Sequence, residues 1–379
     1  MPGTYAIGAY YCPLYHVDPR NEAAHGAGWT EWELVKRGEP RFPGHQQPKV
    51  PLWGYEDESD PAVFARKIDA AADHGVDYFI FDWYYYDDGP FLERCLERGY
   101  LQAANNSRLK FALMWANHDW VNIHPAKLHI PPVLQYPGAV TRATFDRVTD
   151  YVIERYFKHP SYWMIEGCPY FSIYELYRLI EGLGGMEATA EALQRFRERT
   201  RRAGFPDMHL NAVVWGIQIL PNERAITNPA DIVALLGLNS ICSYVWIHHI
   251  RLPDFPVTDY NWVLNQSVAY WHATSGAYSV PYFPNVTMGW DASPRAVQSD
   301  RYLDVGYPFM PTLSGNSVTA FKTALLRVKT FLDTREGQPK IFNINAWNEW
   351  TEGSYLEPDI IHGTGYLEAI RDIFKGRPT

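Results

Sequence analysis

Cysteine is scarce and scattered. Cys12, Cys95, Cys168 and Cys242 show no CxxC pair and no regular spacing, so neither a disulfide framework nor a zinc site is indicated and all four are expected as buried thiols. Basic runs are missing too. No stretch of Lys or Arg exceeds two and the formal net charge is -9, which argues against a phosphate-backbone footprint, so no nucleic-acid partner is expected. No segment approaches the ~18 unbroken apolar residues of a membrane span. Residues 1–10 lack the basic start and apolar stretch of a leader. The chain as given is therefore expected to be soluble and cytoplasmic, or periplasmic or secreted if a leader has been trimmed. Also absent are a Ser/Gly/Pro-rich linker, a composition break and a repeat of solenoid length, so one domain over residues 1–379 is expected.

Aromatics, by contrast, are plentiful: 15% of the chain, with 14 Trp and 26 Tyr. That is more than a core needs when Leu, Ile and Val are also abundant, and it points to a lined cleft. With no strong charge of one sign to attract an ion, the expected ligand is neutral. Rings that stack on C–H faces, beside carboxylates and amides that take hydroxyls, are suited to an oligo- or polysaccharide.

Eight short runs rich in Val, Ile, Phe and Tyr recur at 5–11, 76–82, 109–116, 169–174, 209–215, 240–246, 281–287 and 341–347. They are nearly continuous in apolar character, as parallel strands buried on both faces require. Helical segments with charged faces lie between them at 61–75, 141–157, 187–203, 317–334 and 364–374. The arginines of 187–203 are read as a solvated outer face. The predicted fold is an α/β (β/α)₈ TIM barrel, with a long first βα loop from Cys12 to about Asp60 on the catalytic face.

In such a barrel the site forms where strands end, and here those ends are polar or aromatic. Tyr10-Tyr11 with His16 end the first run, Asp82-Trp83-Tyr84 the second, and Trp115, Asn117, His118 and Asp119 the third. Tyr174-Glu175, Trp215, Tyr244 with Trp246, Trp290-Asp291 and Trp347-Asn348-Glu349 follow. The opposite ends, near Gly3, Gly75, Lys110 and Lys340, carry no such set. Candidate sugar-binding residues are therefore Tyr11, His16, Trp32, Asp82, Trp83, Trp115, Asn117, His118, Asp119, Glu175, Trp246, Trp290, Asp291, Trp347 and Asn348.

The sharpest feature is Trp347-Asn-Glu-Trp-Thr-Glu-Gly-Ser-Tyr-Leu-Glu-Pro358, directly after an apolar strand. Glu349 and Glu352 are three residues apart, a spacing that in a tight turn points both carboxylates one way, with the indoles of Trp347 and Trp350 placed to exclude water. Two neighbouring carboxylates hold one proton more easily than two charges, which separates an acid from a base near neutral pH. Glu349 and Glu352 are thus the candidate catalytic pair. Glu357, before Pro358, reads instead as a cap on a tight turn.

The stretch Asn348-Glu-Trp-x-Glu-Gly-Ser-x-Leu-Glu-Pro358 resembles the signature of family 99 glycoside hydrolases, the endo-α-mannosidase and endo-α-mannanase group. The wider pattern is similar to their WbsX-type relatives, found with polysaccharide biosynthesis functions: Ala9-Tyr-Tyr-Cys-Pro-Leu-Tyr-His16, Gly28-Trp-Thr-Glu-Trp32, Gly44-His-Gln-Gln-Pro48, Gly75-Val-Asp-Tyr-Phe79, Trp115-Ala-Asn117 and Gly289-Trp-Asp-x-Ser-Pro-Arg295. The resemblance implies a (β/α)₈ barrel hydrolysing α-linked glycosides with retention and no metal. It implies that Glu349 deprotonates the sugar 2-hydroxyl, which then attacks the anomeric carbon, while Glu352 is the acid on the departing oxygen and then the base for water. The usual retaining pair differs, with carboxyls ~5–5.5 Å apart and one acting directly as nucleophile. Sequence leaves both mechanisms open. Where those relatives read Trp-Ala-Asn-Glu-Asn-Trp, this chain has Trp115-Ala-Asn-His-Asp-Trp120, so the sugar recognised is not carried over.

Several alternatives stand beside this reading. His118, Asp119, His124 and His248-His249 offer metal-ligand types, but no HExxH-like spacing joins them, and no metal or cofactor is expected. Glu175 with Glu349 is a second candidate pair. A transferase of polysaccharide assembly would use the same two glutamates with a sugar acceptor. A catalytically idle carbohydrate-binding barrel would need them to be structural.

Overall fold

The apolar runs become strands packed on both faces. The computed structural model describes residues 5–376, and Gly3 with the rest of segment 1–4 lies outside them. The strands are β1 (Ala6–Tyr11), β2 (Tyr78–Tyr86), β3 (Lys110–Trp115), β4 (Cys168–Ile173), β5 (His209–Val213), β6 (Ser240–Cys242), β7 (Tyr282–Phe283), β8 (Asn285–Thr287) and β9 (Ile341–Asn345). The run 281–287 yields two strands because Pro284 has no N–H to give a ladder. All nine are parallel, in the order β7-β6-β5-β4-β3-β2-β1-β9-β8. The two ends of that order, β7 and β8, are neighbours in the chain on either side of Pro284, so the sheet curls into a nearly closed TIM barrel. Gly8 is needed where β1 meets β2, since a Cβ there would stand 2.4 Å from the Tyr78 ring.

Helices cover the outside: α1 (Pro19–His25), α2 (Trp32–Arg37), α3 (Pro61–Asp73), α4 (Arg142–Val152), α5 (Leu176–Gly182), α6 (Met186–Arg202), α7 (Pro229–Leu235), α8 (Tyr260–Ala277), α9 (Val318–Asp333) and α10 (Gly365–Phe374). Their starts are chemically marked. Asp60 accepts from Ala62 N at 2.8 Å ahead of Pro61, and Ser317 accepts from Ala320 N at 3.3 Å, each satisfying an amide the helix cannot. The five charged segments correspond to α3, α4 with the π-helical turn Ile153–Phe157, α6, α9 and α10. One arginine of α6 departs from the solvated reading: Arg197 is buried, donating to Met208 O and Gly237 O at 2.8 and 2.7 Å, and so ties α6 to the β5 and β6 loops. Among the described residues no helix is long and apolar enough to cross a membrane.

The first βα loop holds α1 and α2 and folds over the barrel mouth. It is fixed by its own apolar cluster, in which Cys12, Leu14, Tyr15, Trp32 and Val35 pack on Tyr84, Trp120, Trp350 and Tyr355. That packing brings Glu31, His45 and Gln47 to the C-terminal ends of the strands, where the carboxylate pair lies.

Candidate active site

Past β9 the chain forms a short hairpin, Asn348–Glu349 against Ser354–Tyr355, closed by the 3₁₀ turn Trp350–Glu352. Gly353 ends that turn at φ 64°, where a side chain is strained, and a Cβ there would come 2.8 Å from Cβ of Asp291. The tight turn sets both glutamates on one guanidinium. Arg295, from the loop after β8, donates from Nη2 to Glu349 Oε1 at 2.9 Å and from Nη1 to Glu352 Oε1 at 2.6 Å. Nη2 also lies 3.2 Å from Glu31 Oε2. Tyr307 donates to Glu352 Oε1 at 2.8 Å, and Thr351 to Glu31 Oε2 at 2.7 Å. The Cys12 thiol lies against Oε2 of Glu349. No hydrogen bond from the described residues reaches Oε2 of Glu352.

One cation thus serves three buried carboxylates, and the balance decides their protonation. Burial pushes Glu349 and Glu352 above the ordinary carboxylate range; each feels the neighbouring acids, and Arg295 offsets only part of this. Burial would raise Glu31 as well, but Arg295 and the Thr351 hydroxyl outweigh it and hold Glu31 low. Asp82, with Oδ2 accepting from Tyr244 at 2.8 Å, is raised to about 7 by burial. The floor therefore carries anion and bound proton side by side, as an acid and base pair requires.

Above the pair opens a pocket. Asp82, Tyr84, Tyr174 and Tyr244 form its wall with His118, Asp119, Trp120, His124, His248 and Trp290. Burial lowers His124 and His248 to about 3, so both are neutral imidazoles able to exchange hydrogen bonds with hydroxyls. The buried indole N–H of Trp290 has no partner, and Trp290 also lines a second, more polar cavity with His45, Lys49, Asn316 and His362.

Of the residues proposed from sequence, Asp82, His118, Asp119, Trp290, Glu349 and Glu352 line the central pocket. The others lie elsewhere, chiefly because successive residues of a strand face opposite ways. Tyr11 points out of the barrel, donating to Glu58 at 2.8 Å and stacking on Phe64 of α3. Trp83 packs on Tyr151 and Tyr156, and Trp115 on Phe145, in the layer beneath α4. Trp246 lies beneath Tyr260 with its N–H on Asn285 O at 2.9 Å. Trp32 packs on Tyr15 and donates to Glu56 O at 2.8 Å. His16 is buried off the pocket and is lowered to about 4 by that burial. Asn117 exchanges hydrogen bonds with the Glu175 backbone at 2.8 Å, joining the ends of β3 and β4. Glu175 turns to Arg224 N at 3.1 Å, outside the central pocket, so it is not brought to Glu349 as a second pair. Asp291 is held by His45 and Gln47, both at 2.7 Å, and faces the second cavity.

The residues after β9 also divide. Asn348 clamps the backbone of Cys12, accepting from its N and donating to its O at 2.8 Å each. Trp347 and Trp350, expected to shield the pair, instead donate to Glu357 at 2.9 and 2.7 Å on the far side. Glu357 is structural as expected, but it satisfies two indoles and Lys67 rather than turn amides. The residues not singled out as site candidates are Glu31, Arg295, Tyr307 and Cys12. Glu31, Arg295 and Cys12 sit inside the quoted motifs, but a motif does not say which of its members meet. Among the described residues, the histidines considered as metal ligands do not gather; the one grouping of three donors is Cys12, Asp82 and Glu349.

Comparison with known proteins agrees with this architecture. Similarity in structure extends to the family 99 endo-α-mannosidase from Bacteroides thetaiotaomicron, with TM-score 0.57, 14% identity and 97% of each chain covered. A glycoside hydrolase-like protein gives TM-score 0.60 at 13% identity, over 98% of this chain and 94% of that one. At such identities these likenesses establish a shared barrel. In sequence the chain is 28% identical over its full length to the WxcX proteins of two Xanthomonas campestris pv. campestris strains, B100 and ATCC 33913, and spans 50% of their length. Residues 7–370 match the family described as Glycosyltransferase WbsX, and the chain belongs to that family.

Proposed function

We propose that this barrel is a retaining glycoside hydrolase acting on an α-linked oligo- or polysaccharide through Glu349 and Glu352. The observation that carries the reading is the single guanidinium of Arg295 spanning both carboxylates at the floor of an aromatic pocket. With one positive charge for two acids that burial has raised, one member keeps a proton while the other is anionic. Oε2 of Glu352, which accepts no hydrogen bond among the described residues, is the oxygen suited to protonate a departing glycosidic oxygen and then to take a proton from water. Glu349, pinned by Arg295 and the Cys12 thiol, is the base for the sugar 2-hydroxyl in the substrate-assisted route that the family resemblance implies. Trp290 and Trp120 supply ring faces, and the pocket histidines supply hydroxyl partners.

The name of the family favours a second reading, in which the same pair passes the glycosyl group to a sugar acceptor instead of water. One experiment tests both. Wild type and Glu352→Gln are incubated with α- and β-linked oligosaccharides, and the anomeric form of the released sugar is followed by NMR. Release with retention, falling ~10²–10⁴-fold in the variant, is the expected result. Full activity of the variant removes the hydrolase assignment of Glu352, and longer oligosaccharides among the products identify transfer.

A further inference from the structure

The Cys12 thiol is placed between two acids, and the glycosidase reading uses its contact with Glu349 but not the one with Asp82. It lies against Oε2 of Glu349 and 3.4 Å from Oδ2 of Asp82, and the three donor atoms all fall within 4.8 Å of one another. Arg295 pairs with the other oxygen of Glu349, Oε1, and among the described residues no cation pairs with Oε2. A second observation points the same way: Oδ1 of Asp82 is buried and has no hydrogen-bond partner, although Asp82 forms part of the pocket wall. An acceptor left unsatisfied in the interior costs free energy until a ligand reaches it. We propose that Cys12, Asp82 and Glu349 form a binding site for a divalent, thiolate-accepting cation of the zinc type, and that the ion holds the catalytic pair in an inactive state.

Donor chemistry selects the ion. One thiolate with two carboxylates suits zinc, whereas calcium and magnesium take oxygen shells that a sulfur would interrupt. Bonds of ~2.3 Å to sulfur and ~2.1 Å to oxygen at a tetrahedral angle place sulfur and oxygen about 3.6 Å apart, close to the 3.4 Å between Cys12 and Asp82. The Cys12–Glu349 contact is tighter and opens as the bridging thiol proton is replaced. On binding, the sulfur–hydrogen bond breaks, a sulfur–metal bond forms and the proton passes to solvent. The fourth position faces the pocket, where Asp82, Tyr244 and Glu349 are lining groups. Glu349 so engaged cannot take a proton from a sugar hydroxyl. That inhibitory consequence rests on the proposed function, but the binding does not.

The test is therefore made without substrate. Zinc is titrated by calorimetry into the metal-stripped full chain and into Cys12→Ser, Asp82→Asn and Cys168→Ser, with circular dichroism confirming each fold. In parallel, cobalt(II) is added to wild type and its thiolate charge-transfer absorption recorded. One equivalent bound with proton release, at least ~10-fold weaker in Cys12→Ser and Asp82→Asn and unchanged in Cys168→Ser, is expected, together with the thiolate band. Zinc affinity indifferent to Cys12 and Asp82 overturns the proposal. If Cys12→Ser does not fold, absence of the thiolate band in wild type overturns it equally. Zinc binding without any glycosidase activity would leave this site in place and remove only the functional reading.

Discussion

Glu31 and Arg295 lie 3.2 Å apart although 264 residues separate them in the chain. This contact closes the first βα loop onto the loop after β8 and gives the carboxylate pair its only cation in direct contact among the described residues. Arg295→Met leaves Glu31, Glu349 and Glu352 buried without a counter-charge, and breaking a buried pair from one side costs about 3–5 kcal/mol. Urea unfolding of Arg295→Met is expected to show that loss. Glu31→Gln combined with Arg295→Met should cost less than the sum of the two single changes, since one of the three orphaned carboxylates is then gone. Additive losses would show that the two residues do not act as a pair.

That contact also marks where sequence reading stops. The strands were legible because parallel strands buried on both faces need unbroken apolar runs, and each of the eight runs became barrel strand. The same property hid which way the strand-end side chains face. In Tyr-Phe-Ile-Phe-Asp-Trp-Tyr-Tyr-Tyr of β2 no polar and apolar alternation tells that Asp82 and Tyr84 line the pocket while Trp83 packs under α4. Helix α8 is not among the helical segments read from the sequence for a related reason: between Tyr260 and Ala277 it has no Asp, Glu, Lys or Arg, so it lacks the charged face that marked those five segments. The Glu349 and Glu352 pair was legible because three residues hold it. Arg295, Glu31 and Cys12 reach it through tertiary contacts that no local pattern encodes.

Trp290 lines both cavities and has a buried indole N–H without a partner, a donor left for a ligand to satisfy. Trp290→Phe keeps a stacking face and loses the donor; Trp290→Ala loses both. With aromatic contacts at ~0.5–1.5 kcal/mol beyond area burial, Trp290→Ala should raise KM for a cleaved oligosaccharide by about tenfold. Trp290→Phe should fall between it and wild type. Equal KM values in all three would remove Trp290 from the binding surface.

Beneath the site, Lys67 of α3 lies 2.6 Å from Glu58 and 2.5 Å from Glu357, while Glu58 accepts from Asn348 beside the candidate pair at 2.7 Å. Lys67→Met strands two buried carboxylates. A loss of about 3–5 kcal/mol is expected by chemical denaturation. Adding Glu357→Gln to Lys67→Met should recover part of it, because one uncompensated charge is removed, less the cost of leaving one of the Trp347 and Trp350 indoles against the amide NH2 instead of an acceptor. A variant as stable as wild type would show that water, not Lys67, neutralises this cluster.

The loops after β4 and β5 bury a second pair of acids, and their protonation sets a pH dependence of stability. Burial, with Glu223 nearby, raises Glu175 to about 8; burial raises Glu223 to about 7, against hydrogen bonds from Tyr174 and from the amides of Ile219 and Leu220. The unfolded chain releases these protons near pH 4–5, whereas the folded chain holds them until about pH 7–8. The folded state thus binds more protons in that window, so both groups lower stability as pH rises through it. Glu175→Gln fixes the neutral form of a side chain whose Oε2 has no partner. It is expected to leave the melting temperature nearly unchanged at pH 5 and to raise it relative to wild type at pH 8, measured by calorimetry across the range. Parallel profiles for the two proteins would mean that Glu175 titrates in the folded chain as it does in the unfolded one, and the slope would then have to come from other buried acids.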